Sequence, residues 1–197
     1  EEVADKYIDL VLAKIKPIKY KTIYIGGGTP NCLSYEQLEK LLEPLSRHLD
    51  KNYEFTIECN PEFVDAIQAK IFRKYKINRV SLGVQTLDSN LLKTMNRKNH
   101  ISMVVYAISE LQNNKITNIS CDLIYGFNGQ TNESIRQDIN FLMLNKVKHI
   151  SCYSLEIKEN TIWGKQKYPV DELAIEDHLK FIVDYLKQMR FVRYEVS

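Results

Sequence analysis

The chain has 197 residues, of which 44% are hydrophobic and 26% charged, enough for a domain with a substantial core. Lys and Arg number 27 against 25 Asp and Glu, a net charge of +2 that argues for neither a nucleic-acid nor a membrane-surface partner. No run approaches the ~20 apolar residues that cross a bilayer, and the Lys14, Lys16, Lys19 and Lys21 stretch reads as a solvated face.

In chain order, Val3, Tyr7, Leu10, Val11 and Ile15 predict one apolar face of a helix over 3–15. Thr22–Ile25 then reads as a buried strand ending at Gly26. Ser34 with Gln37 three residues on is a capping box, and Leu38, Leu41, Leu42 and Leu45 form the stripe of the helix it opens. The unit then recurs. Strands are expected at Tyr53–Cys59, Arg79–Val84, Asn118–Tyr125 and His149–Leu155, and helices at about 62–75, 88–113 in two pieces, 132–145 and 172–189. A last strand is expected at Phe191–Val196.

Alternating βα units imply a parallel sheet with right-handed crossovers, and the strand spacing suits either an open doubly wound sheet or a βα barrel. A doubly wound sheet concentrates its polar groups at one switch point. Here nearly every strand ends in them: Gly26–Thr29, Glu58, Gln85, Asp122 and Glu156. That spread favours the barrel, whose site residues lie at the C-terminal ends of successive strands. The chain opens on a helix where a βα fold should open on a strand, so a fragment is expected, one partial-barrel domain over 1–197 cut at both ends.

Gly26-Gly27-Gly28-Thr29-Pro30 follows a strand directly, with more glycines than a tight turn needs, and points to a ligand approaching the backbone. It lacks the Lys-Ser/Thr of a P-loop and the spacing of a dinucleotide fingerprint. Glu58, Gln85 and Asp122 each end or nearly end an apolar strand and need hydrogen-bonding partners there. Taken singly they are satisfied structural groups; at one end of three successive strands they suggest a ligand rich in hydroxyl and amino groups. Arg97 is a surface charge by default and, in a barrel mouth, a partner for Asp122 or for a carboxylate. His100 reads as the cap of the following helix, and His48, His149 and His178 as surface or helix-end residues. The four cysteines, 32, 59, 121 and 152, have no metal or redox spacing and suggest a reducing cytoplasm. Neither a hydrolase triad nor a zinc motif is present, so no catalytic residue and no metal ligand is assigned.

Ile25-Gly26-Gly27-Gly28-Thr29-Pro30, Thr56-Ile57-Glu58-Cys59-Asn60-Pro61, Leu82-Gly83-Val84-Gln85, Asp122-Leu123-Ile124-Tyr125-Gly126 with Gly129-Gln130-Thr131, and Tyr194-Glu195-Val196-Ser197 resemble, in order, the radical-SAM coproporphyrinogen-dehydrogenase family. The resemblance implies an α/β fold, a partial parallel (β/α) barrel of the radical-SAM type lacking its first strand. It implies that Gly27, Gly28 and Thr29 meet the amino-acid end of S-adenosylmethionine. Glu58, Gln85, Arg97 and Asp122 would meet its other polar groups, and Ile124 and Ser154 would lie beside the adenine.

The family has two branches: oxygen-independent coproporphyrinogen III dehydrogenases, which decarboxylate two propionates oxidatively, and HemW-type heme chaperones. Thr86-Leu87 lacks the acidic residue of the first branch, and Tyr153-Ser154-Leu155-Glu156-Ile157 followed by Thr161 resembles the second. The implied partners of the full-length form are S-adenosylmethionine, heme or a porphyrinogen, an electron donor and a heme-acceptor protein. Phe127 and Asn128 depart from the Leu-Pro of the family turn. The C-x-x-x-C-x-x-C segment that holds a [4Fe–4S] cluster is absent, so the cluster is expected only in the full-length protein and this chain is expected to be inactive. A cluster-free barrel that binds a phosphorylated metabolite is the reading from outside the family.

Overall fold

The computed structural model describes residues 2–98 and 100–195. Val196 and Ser197, which belong to the last motif quoted above, lie outside the described residues. Five strands form one sheet in chain order: β1 (Tyr20–Ile25), β2 (Leu49–Cys59), β3 (Arg79–Gln85), β4 (Asn118–Tyr125) and β5 (His149–Ser154). β1 runs parallel to β2 with Ile25 opposite Ile57, and β2 parallel to β3 with Cys59 opposite Leu82. α1 (Glu2–Leu12) precedes β1; α2 (Tyr35–Ser46), α3 (Ala66–Lys74), α4 (Ser89–Thr94) with α5 (Ile101–Asn113), and α6 (Asn132–Leu144) separate successive strands; α7 (Ile162–Lys165) and α8 (Glu172–Gln188) follow β5. This is an α/β fold, an open parallel sheet of the partial-barrel kind.

The chain divides into two compact units. The first holds residues 1–84, 99–121 and 147–149. Its core joins Phe55 and Ile57 of β2, Val80 and Leu82 of β3, Leu38 and Leu42 of α2, Phe72 of α3, and Ile108 and Leu111 of α5, all essentially buried. Each such side chain contributes about 1.5–3 kcal/mol by leaving water. The capping box at α2 is formed: Gln37 N donates to Ser34 Oγ at 3.2 Å and Ser34 N to Gln37 Oε1 at 3.1 Å. The second unit holds 85–98, 122–146 and 150–197, with Leu123, Tyr125, Ile135, Ile139, Leu142 and Ile182 buried.

Several expectations are corrected. α1 ends at Leu12, and it is Ile8 that is buried; Val3, Tyr7 and Leu10 of the expected stripe are exposed. The apolar residues of α1 are spread around the helix, so sequence spacing alone did not identify the packed face. β1 begins two residues earlier and is not a buried strand, since Tyr24 is 56% exposed. It ends the sheet order and has one bonded neighbour, β2. The helix expected over 62–75 is a short 3-10 turn, Pro61–Phe63, followed by α3. Asp65 breaks the two apart by capping α3, accepting from Ile67 N and Gln68 N. Residues 191–195 form no strand; Phe191 N instead donates to Leu186 O and closes α8. His178 is buried within α8, at 4% exposure, rather than at a surface or helix end. His149 opens β5, half-buried, with Nδ1 2.7 Å from Ser120 Oγ.

Candidate functional site

In the first unit the glycine loop follows β1 and faces the end of β2. Glu58 is half-buried, and Tyr24 Oη donates to its Oε1 at 2.6 Å while Gly27 N donates to its Oε2 at 3.2 Å. The strand pairing that sets Tyr24 opposite Thr56 and Ile25 opposite Ile57 brings these groups together. Gly26 has to be small: a Cβ there would lie 2.9 Å from Glu58 Cδ and 2.8 Å from Tyr24 Cε1. Gly27 has φ +112, which a side chain rarely tolerates. Gly28 differs from both. It has no positive φ, and a Cβ there would meet nothing within 4 Å. Neither packing nor backbone conformation of this unit asks for glycine at 28.

Two residues not singled out from the sequence hold these loops. Asn31 is fully buried, and its Nδ2 donates to Asn60 O at 3.1 Å while its Oδ1 accepts from Asn60 N at 2.9 Å. Gln68 Nε2 donates to Asn31 O at 2.7 Å. The loops after β1 and β2 are therefore tied by a satisfied polar network, and Asn60 Nδ2 reaches Thr29 Oγ1 at 3.4 Å.

In the second unit Gln85 ends β3 half-buried, with φ +69. Six other non-glycine residues among the described ones have positive φ: Lys76, Asn96, Lys115, Lys146, Lys167 and Arg190. All six sit just past the cap of a helix, where the left-handed conformation is the usual way to end one. Gln85 is the exception, strained at a strand end. The next residues are anchored to α6: Thr86 Oγ1 donates to Asp138 Oδ2 at 2.8 Å and Leu87 N to Asp138 Oδ1 at 3.0 Å. Asp138 is 5% exposed, and burial, with a smaller contribution from the nearby Asp88 charge, pushes its carboxyl up to about 6.

Asp122 and Ile124 alternate with buried neighbours along β4 and share a half-buried face. Burial and the charge of Asp122 push the Cys152 thiol up to about 12, so this cysteine stays a neutral thiol at physiological pH. Ser154 is exposed at the end of β5 and hydrogen-bonds the Tyr125 hydroxyl. Arg97, half-buried, follows α4, and its N donates to Leu92 O at 2.9 Å. Glu156 lies beyond the end of β5 and is exposed. Among the described residues no three His, Cys, Asp or Glu side chains are placed to hold a metal ion, and none of the helices there is long and apolar enough to cross a membrane.

The model of the Radical SAM superfamily matches residues 2–142. The chain belongs to the Radical SAM superfamily. Among radical-SAM relatives, the heme chaperone HemW of Lactococcus lactis is 36% identical over 98% of this chain and 54% of its own length. The heme chaperone HemW of Bacillus subtilis is 32% identical over 94% of this chain and 51% of its own. The chain thus spans about half the length of these curated relatives. Among solved structures, the Escherichia coli coproporphyrinogen III oxidase HemN, a radical-SAM enzyme, superposes with a TM-score of 0.79 at 22% identity, covering 94% of this chain and 46% of that one. Streptococcus suis SuiB bound to S-adenosylmethionine superposes with a TM-score of 0.66 at 20% identity, over 94% and 41%. At those identities the two structures support the radical-SAM fold and nothing finer.

Proposed function

We propose that this chain is the S-adenosylmethionine-binding barrel portion of a HemW-like protein that binds heme and acts in cytoplasmic heme trafficking. The observation that carries the proposal is the glycine at position 28, which the fold does not require, in a radical-SAM chain whose relatives at 36% and 32% identity are named heme chaperones. Gly27, Gly28 and Thr29 receive the amino-acid end of the ligand, where a backbone without side chains permits close approach. Glu58, Gln85, Arg97 and Asp122 meet its charged and hydroxyl groups, and Ile124 and Ser154 flank the adenine. When bound, S-adenosylmethionine supplies a sulfonium whose carbon–sulfur bond opens on one-electron reduction. A carboxylate such as Glu58, already oriented by Tyr24 and Gly27, suits the ammonium of a ligand's amino-acid end better than a phosphate.

The described residues do not fit a [4Fe–4S] cluster: no three His, Cys, Asp or Glu side chains among them are placed to hold a metal ion, and two of the four cysteines, Cys59 and Cys121, are buried in separate strands. No electron-transfer step is therefore assigned to this chain. A cluster, an electron donor and a heme-acceptor protein belong to the full-length form under this proposal. The 197-residue chain is expected to bind S-adenosylmethionine weakly and to show no [4Fe–4S] absorbance after anaerobic reconstitution.

A second reading, an oxygen-independent coproporphyrinogen III dehydrogenase, is the other branch of the family that the sequence motifs resemble. Anaerobic incubation of the full-length protein with coproporphyrinogen III, reductant and S-adenosylmethionine separates the two. The heme-trafficking proposal expects heme binding and no protoporphyrinogen; formation of protoporphyrinogen would overturn it.

A further inference from the structure

β3 delivers Gln85 in a left-handed conformation, φ +69, that is strained for a non-glycine residue. A glycine would suit that backbone better, so the amide side chain is retained against the preference of the fold. The strain has to be held by the next residues in the chain. Thr86 is fully buried and Leu87 is half-buried; both donate to the two carboxylate oxygens of Asp138, at 2.8 and 3.0 Å. Thr86 Oγ1 in turn accepts from Asp88 N at 3.1 Å, and Asp88 caps α4 by accepting from Asn90 N at 2.8 Å and Leu91 N at 3.2 Å. Asp138 lies on the face of α6 that buries Ile135, Ile139 and Leu142. A carboxylate on an apolar face is expensive, and here both of its oxygens serve the two residues just past Gln85.

We propose that Asp138 is a positioning residue that holds Gln85 in its left-handed conformation and so aims the Gln85 amide at S-adenosylmethionine. The inference rests on the reading that Gln85 contacts that ligand. Asp138 touches no ligand itself; it acts through the Thr86-Leu87 turn. A residue that only joined α6 to the turn for stability would leave the conformation at 85 and the ligand affinity unchanged once the protein had folded.

The test uses the full-length protein, titrated with S-adenosylmethionine, in the variants Gln85→Ala, Asp138→Ala, Asp138→Asn and the double variant Gln85→Ala/Asp138→Ala. Each alanine substitution is expected to weaken binding about tenfold, the loss of one well-placed hydrogen bond. The double variant is expected to bind no more weakly than Gln85→Ala, because both changes remove one interaction. Asp138→Asn keeps an oxygen for Leu87 N–H and lets the Thr86 hydroxyl rotate, so it should restore affinity to within about twofold. A crystal structure of Asp138→Ala should find φ at Gln85 outside the left-handed region. Losses that multiply in the double variant, or Gln85 still left-handed in Asp138→Ala, would overturn the proposal. Should Asp138→Ala fail to fold, Thr86→Val, which removes one of the two bonds, carries the same measurements with about a threefold expected loss. If the wild-type protein binds no S-adenosylmethionine, the reading of the site fails, while the conformation of Gln85 in the variants still decides whether Asp138 holds it.

Discussion

The loops after β1 and after β4 both carry glycine, and the two units use it for opposite ends. In the first unit a Cβ at Gly28 would stand in open space, and one at Gly27 would too, although its φ of +112 forbids it. In the second unit a Cβ at Gly126 would lie 2.6 Å from Ile175 Cγ1 of α8, and its φ is +94. One loop keeps room that its own unit does not fill; the other is closed down on a helix. The polar strand ends differ in the same sense. Glu58 is oriented by donors from its neighbouring strand and loop, in an ordinary β conformation, whereas Gln85 is strained and held from behind by a buried carboxylate. Similar residues at successive strand ends thus separate into those that serve packing and those that packing leaves unexplained.

The largest expected effect is on the packed side. Gly126→Ala combines a contact of 2.6 Å with a left-handed backbone and should cost about 4 kcal/mol in denaturant unfolding. A cost below about 1 kcal/mol, the usual range of a surface change, would place Gly126 with Gly28 and dissolve the contrast.

Asp138 gives the next. Its folded pKa of about 6 lies above the ordinary 3.8, so the native state binds the proton more tightly than the unfolded one. Its contribution is most favourable below the unfolded value and is lost as pH rises through the folded one, which amounts to about 3 kcal/mol between pH 4 and 6. Asp138→Asn removes this titration, so the stability of the variant relative to wild type should climb over that window. Parallel pH profiles for the two proteins would show that the carboxyl is not perturbed as the geometry implies.

The smallest concerns the helix ends. Lys146 sits just past α6 with φ +60, and Lys146→Gly should raise stability by about 1 kcal/mol through relief of the left-handed conformation. Gln85→Gly should give a similar gain in stability while weakening S-adenosylmethionine binding, a split that a helix-end residue would not produce.

Much of this was legible in the sequence because it is local. The alternation of hydrophobic periods located the five strands, and Ser34 with Gln37 announced its own helix. The glycine loop and Glu58 stood out because each breaks an apolar run. What escaped depends on partners distant in sequence. The burial of β1 turns on which strands flank it, and the buried position of His178 on how α8 packs. Asp138, Asn31 and Gln68 look like ordinary helix or loop polar residues until folding brings Thr86, Leu87 and Asn60 to them. Phe191–Tyr194 carries strand propensity, but the closing bond to Leu186 ends a helix there instead.

The most direct measurement is titration of the full-length protein with S-adenosylmethionine, comparing wild type with Gly28→Ala and recording thermal unfolding of both. Because a Cβ at 28 meets nothing of the described protein, the variant should melt within a degree or so of wild type, as a strain-free surface change does. Its affinity should nevertheless fall by about tenfold or more, since the added methyl occupies space meant for the ligand. Unchanged affinity in a protein of unchanged stability would contradict the account, because the glycine loop would then be no part of the site.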